Sequence, residues 1–178
     1  MTGLQRILSR LLRPDSKALV MGNGASAITA LRALESSKVK EAFQIARSFS
    51  EEHHEYAHQK SSVEHNKFSH SDMPIAKLSW NDKNFSYAIR ESDIIINTTP
   101  LGWSAKDFVP ELDKYLEKTQ VFVDFNYAPN SQLAACARKN GCLVIDGREL
   151  LFEQGLESFR LLTDSEAPAD VIRHCIYS

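Results

Sequence analysis

Four features are scarce or missing in this chain, and each absence excludes something. No apolar run approaches the roughly 18 residues that a membrane-spanning helix needs,. The arginine-bearing N-terminus is not followed by the apolar stretch and small-residue cleavage site of a secretory leader,. Charge of one sign is not in excess: 21 Lys and Arg stand against 23 Asp and Glu, a formal net charge of -2. No global field therefore favours nucleic acid or an anionic membrane as a partner. Cysteine is sparse. Cys136, Cys142 and Cys175 are odd in number and widely spaced, and they form neither a disulfide framework nor a metal pattern,. A reducing, cytoplasmic setting is the expectation. What remains is 178 residues, 43% hydrophobic and 25% charged, without an internal repeat or low-complexity linker. That is enough apolar material for one core, and one domain over residues 1–178 is expected.

The order of apolar segments gives the fold class. Residues 3–13 place Leu4, Ile7, Leu8 and Leu11 at helical spacing, and Pro14 ends that helix,. Short apolar runs at 17–22, 41–47, 75–80, 93–99, 121–127 and 142–147 read as six strands,. Helical patterns separate several of them: small residues over 25–36, then Leu133, Ala134 and Ala137 closed by Gly141,. Phe152, Leu156 and Phe159 mark a long helix after the last strand,. A tail helix over 168–178 opens at Pro168 and is expected to bury Val171, Ile172, Cys175 and Ile176,. Strands that are continuous apolar runs and alternate with helices indicate a parallel sheet covered on both faces. The expected fold is α/β: a doubly wound, six-stranded parallel sheet whose order reverses after the first strand.

In such a sheet ligands bind outside the carboxyl ends of the strands, where the winding reverses. Gly22-Asn23-Gly24-Ala25-Ser26-Ala27 follows the first strand and opens a helix, fitting G-x-G-x-x-G/A,. Gly22 permits the tight turn, Gly24 lets backbone approach a pyrophosphate, and Ala27 lets helix and strand pack closely. Gly22, Asn23, Gly24, Ala25 and Ser26 are thus the candidate phosphate cradle of a Rossmann-type, NAD(P)-binding domain. The second strand then ends Ile45-Ala46-Arg47-Ser48. Binders of NAD usually carry Asp or Glu at this place for the ribose 2′-hydroxyl. Arg47 can pair with a 2′-phosphate through its planar fork, and Ser48 can add a hydroxyl, so NADP is the expected cofactor.

With these residues in place, five ordered blocks resemble the shikimate dehydrogenase family, including its quinate-using relatives. The blocks are "VMGNGASA", "ARS", "DIIINTTPLGW", "VDFNYAPNSQLAACARKNGCLVIDG" and "LLFEQGLESFRLLTDSEAP". The resemblance implies that Gly22, Gly24 and Ala25 hold the pyrophosphate and that Arg47 and Ser48 hold the 2′-phosphate. It puts Thr99 at the cofactor ribose, with Thr98, Pro100 and Leu101 in the same turn. Trp103 stands near the nicotinamide in place of a methionine, and Gly147 matches a glycine beside the carboxamide. Tyr127 and Gln154 match substrate-facing positions. The chain departs from the pattern at Ala25 and Glu149, where glycines are usual, at Ala46, where asparagine is usual, and at Leu150, where methionine is usual.

The family also has a substrate domain carrying a Ser-x-Ser clamp and a catalytic lysine and aspartate. "MTGLQRIL" is similar to the segment that follows that aspartate, so no catalytic residue is assigned here. The expectation is the NADP-binding part of a shikimate dehydrogenase-type oxidoreductase, reducing 3-dehydroshikimate with NADPH once a substrate domain is supplied. The first and tail helices would leave an apolar surface (Leu4, Ile7, Leu8 and Leu11 with Val171, Ile172 and Ile176) for a partner subunit or self-association. The alternatives are a nucleotide-binding module without chemistry, or the nucleotide domain of another NADP-dependent reductase such as the glutamyl-tRNA reductase type. Five histidines between 53 and 70 read as a solvated face, with no metal site expected,. Asp124 and Asp146 read as turn caps or cleft residues, and Cys136 as core,.

Overall fold

The computed structural model describes residues 3–49, 73–81, 83–104, 112–128 and 131–178. Its elements run α1 (Gly3–Leu11), β1 (Lys17–Met21), α2 (Ala25–Ser36), β2 (Glu41–Ile45), β3 (Ile75–Leu78), α3 (Phe85–Arg90), β4 (Ile94–Asn97), a 3-10 turn (Leu112–Lys114), β5 (Val121–Asp124), α4 (Gln132–Lys139), β6 (Leu143–Ile145), α5 (Gly147–Thr163) and α6 (Ala169–Tyr177). The six strands form one sheet in the order β3-β2-β1-β4-β5-β6, and every pairing is parallel. The chain winds outward from β1 to β3, returns to the middle, and winds the other way from β4 to β6. This is the expected doubly wound α/β sheet with its switch point between β1 and β4.

Both faces of the central strands are buried, which is why they read as unbroken apolar runs rather than alternations. Ala18 and Val20 of β1, with Ile94 and Ile96 of β4, pack under Leu4 and Leu8 of α1 and Ala27 and Leu34 of α2. Leu19, Met21 and Ile95 point the other way, against Ile89 of α3 and Leu133 of α4. At the amino edge of the sheet the Lys17 ammonium bridges Glu41 at 3.0 Å and Glu91 at 2.9 Å. Those two carboxylates raise its pKa above the usual lysine value. The Lys17 backbone N–H donates to Asp93 Oδ2 at 2.8 Å.

The structure corrects several expectations. The apolar stripe of α1 is not an open docking surface. Leu4, Ile7 and Leu8 are buried in the core and Leu11 is half-buried, because α1 lies on the sheet between α2 and α5. The tail helix α6 buries none of its residues. Val171 is 61% exposed, Cys175 is exposed, and Ile172 and Ile176 are half-buried, since α6 rides on the outer side of α5 and does not reach the sheet. Cys136 is half-buried at the edge of the core, packed against the cluster that includes Leu133 and Ala137. Helix α3 and the 3-10 turn add elements to the sequence reading. The histidine-bearing stretch lies outside the described residues. Among the described residues no helix is long and apolar enough to cross a membrane.

Candidate functional site

The register brings Met21, Ile45, Asn97 and Asp124 to one level, so the loops after β1, β2, β4 and β5 leave the same edge of the sheet. Gly22 turns the chain there with φ of 123°. A Cβ at this position would lie 2.5 Å from the Thr98 hydroxyl oxygen, so both backbone angle and space demand glycine,. The turn is bonded on each side. Gly22 N–H donates to the Ile45 carbonyl at 2.8 Å, and Gln44 Nε2 donates to the Gly22 carbonyl at 2.9 Å.

Gly24 is different. Its φ is -93°, and a Cβ there would meet nothing within 4 Å. It is the N-cap of α2, without a side-chain cap and with no acid in the first turn. Asn23, Gly24, Ala25 and Ser26 are exposed, whereas Ala27 is buried against the sheet. Nothing in the chain's own packing requires glycine at 24. The uncapped N–H groups and the positive end of the helix dipole suit an anion held close to backbone. Ala25, where the resemblance implies glycine, is exposed at the start of α2.

Arg47 and Ser48 follow the end of β2 and are exposed beside this turn. Asn23 Nδ2 donates to Ser48 Oγ at 3.2 Å, joining the two loops.

The loop after β4 is shaped by a buried polar network. Asn97 Nδ2 donates to Asp124 Oδ1 at 2.9 Å and to the Leu101 carbonyl at 3.3 Å. Thr99 donates to Asn97 Oδ1 from both its backbone N–H (3.0 Å) and its hydroxyl (2.6 Å), and Leu101 N–H donates to that hydroxyl at 3.2 Å. The Thr98 hydroxyl donates to the Met21 carbonyl at 2.7 Å. Both threonine hydroxyls are therefore engaged inside the turn. Asp124 also accepts from the Ser131 hydroxyl and from Asn126 N–H at 3.0 Å, and Asn126 Nδ2 donates to the Leu101 carbonyl at 2.8 Å. Burial pushes the Asp124 carboxyl above the usual carboxylate range, and the three donors oppose that shift,. Asp124 and Asp146 act as expected: the first organises the turn, the second caps α5 by accepting from Arg148 and Glu149 N–H.

Trp103 and Tyr127 meet edge to face at 4.8 Å between ring centroids. They are 47% and 58% exposed, an aromatic wall at the ends of β4 and β5. Pro100 is exposed and Leu101 half-buried beside them. Gly147 starts α5 directly against that wall's backbone, where a Cβ would lie 2.5 Å from the Asn126 carbonyl carbon. Gln154 is exposed about two turns further along α5, where that helix crosses Gly3,. Gln44, Asn126 and Ser131 also shape the site, each through a partner distant in sequence or on another element. A glutamine inside the apolar run "AFQIA" was the available signal for the first, since a buried amide needs partners.

No protein-family model matches the chain. The shikimate dehydrogenase (NADP(+)) of Maridesulfovibrio salexigens is 32% identical to it over 163 residues, 88% of this chain and 53% of that protein. The chain is a shikimate dehydrogenase homologue. It spans about half the length of that relative. Shikimate dehydrogenase from Aquifex aeolicus superposes with a TM-score of 0.76 at 22% identity, covering 99% of this chain and 59% of that one. Shikimate 5-dehydrogenase from Listeria monocytogenes, solved in complex with shikimate and NAD, gives a TM-score of 0.76 at 24% identity, covering 98% and 61%. The shared fold is the Rossmann-type sheet.

Among shikimate dehydrogenase positions, Glu149 is the departure that the structure explains. Its carboxylate accepts from Arg173 at 3.2 and 3.3 Å and from the Tyr177 hydroxyl at 2.8 Å. Arg173 also lies over the Phe152 ring at 3.9 Å. Burial and the bond to Glu149 push the Tyr177 hydroxyl up to about 12. A glycine at 149 would leave α6 without this anchor.

Proposed function

We propose that this chain binds NADP(H) at the carboxyl ends of β1, β2 and β4 and forms the cofactor half of a shikimate dehydrogenase-type oxidoreductase. The observation that carries the reading is Gly24: it is free of any steric need for glycine, at an uncapped helix start, with Arg47 and Ser48 on the neighbouring loop. The residues fit the group. The α2 amides would hold the pyrophosphate, Arg47 and Ser48 the 2′-phosphate, and the turn from Thr98 to Leu101 the ribose end. Gly147 and Trp103 would border the nicotinamide. When bound, the cofactor supplies the hydride for a ketone. Tyr127 and Gln154 would contribute one wall for a shikimate-like substrate, and a substrate-binding portion, in the same or another chain, would supply the other wall and the proton.

Calorimetric titration with NADPH and NADH tests the cofactor. A charge-assisted pair to phosphate contributes roughly 1.5–3 kcal/mol, so NADPH is expected to bind about 10- to 150-fold more tightly. Equal affinities, or an unchanged ratio in Arg47→Ala, would overturn the proposal.

A further inference from the structure

Resting on that reading, we propose that Asn23 is a third donor to the 2′-phosphate, beside Arg47 and Ser48, and that Gln44 is the positioning residue that aims it. Gln44 lies in β2, between Phe43 and Ile45, and is 4% exposed. A buried amide must spend its donors on protein groups. Gln44 Nε2 donates to the Gly22 carbonyl at 2.9 Å and to Asn23 Oδ1 at 3.4 Å. It is a strut from β2 to the glycine turn.

That strut fixes which way Asn23 faces. An amide nitrogen only donates, so the carbonyl of Asn23 must turn toward Gln44, and its NH2 must turn away. The NH2 indeed meets Ser48 Oγ at 3.2 Å. Ser48 is therefore an acceptor in this bond, and its own proton is left to point elsewhere. Asn23 keeps a second N–H. The exposed rim between the two loops thus presents an amide N–H, a hydroxyl proton and a guanidinium, all donors. A phosphate monoester dianion offers only acceptors, so it matches this rim. A ribose 2′-hydroxyl has a proton to give, and these three groups, so arranged, leave it no carboxylate to receive it. Position 46, where the resembling family has asparagine, is a buried alanine here, so the amide at this rim comes from the glycine turn instead.

The test uses two ligands that differ only in that phosphate, adenosine 2′,5′-bisphosphate and adenosine 5′-monophosphate, titrated into the full chain. Wild type is expected to prefer the bisphosphate. Asn23→Ala should cut that preference about tenfold, and Asn23→Asp, which replaces donors with a negative charge, should cut it further. Gln44→Met should cut it several-fold, about three or more, in the wild-type background and add little to Asn23→Ala, because the two act through one group. Affinity for the monophosphate should fall less than affinity for the bisphosphate in every variant, so that the ratio of the two is the readout. A preference in wild type that survives both Asn23 substitutions overturns the proposal. So does a Gln44→Met effect that is equal for the two ligands. Should Gln44→Met fail to fold, the two Asn23 variants decide alone, since Asn23 is exposed. A wild type without preference defeats the NADP reading itself.

Discussion

Gly22 and Gly24 stand two residues apart and are glycine for unrelated reasons. The first is held by the fold: its positive φ and the Thr98 hydroxyl leave no place for a side chain. Gly22→Ala is expected to cost about 1–3 kcal/mol or more, seen as a lower denaturant midpoint. The second faces open space. Gly24→Ala should leave stability within about 0.5 kcal/mol while weakening NADPH in titration, and a large loss of stability would refute that contrast. Asp124 supplies a pH signature. Burial raises its folded pKa above the unfolded value near 4, so the native state holds that proton more tightly. Its contribution to stability therefore falls as pH rises from about 4 through the raised value and is level beyond it. The stability difference between wild type and Asp124→Asn, measured by denaturation at several pH values, should decline over that window. A difference that does not vary with pH would contradict it.

At the scale of elements, what could be read depended on how far the cause lay along the chain. The strands were visible because two-sided burial writes itself as an apolar run. The glycine turn and Arg47 were visible because their signals are local. The face of α1 was visible as a stripe, but periodicity says that a face is covered, not by what. Leu8 is fully buried, and Leu8→Ala should destabilise by about 2–5 kcal/mol in chemical denaturation,. Helix α3 has six residues, less than two turns, too short for a period to show,. Gln44, Asn126 and Ser131 take their meaning from partners on other strands and loops, which no spacing reveals. Helix α6 is legible from Pro168, but its exposure is not, because it leans on α5 through ion pairs and rings. Ion pairs at an exposed surface contribute about 0–1 kcal/mol each. Glu149→Ala should therefore speed hydrogen exchange of the α6 amides while leaving the exchange of the sheet unchanged. Slow exchange in α6 of the variant would show that another contact holds it.

At the scale of the whole molecule, the proposed site is one wall for a cofactor, with the Trp103–Tyr127 pair on its flank. Proton delivery to a developing alkoxide contributes about 10²–10⁴-fold, and oriented binding of the substrate contributes more. NADP reduction with shikimate is therefore expected to be undetectable for this chain by itself and to appear when a separately made substrate domain is added. Fast turnover by the chain alone would place a proton-delivering group within it.

The lysine bridge beneath the sheet has a practical side. Lys17 ties the starts of β1 and β2 to Glu91 just ahead of β4, so the sheet is stapled at one margin and carries its loops at the other. The two margins are separated by the length of β1, about 15 Å. Asp15 and Lys38 are exposed on the stapled margin. A dye or surface tether attached there would sit at the margin opposite the glycine turn, leaving that turn clear for immobilised or fluorescence-based measurements.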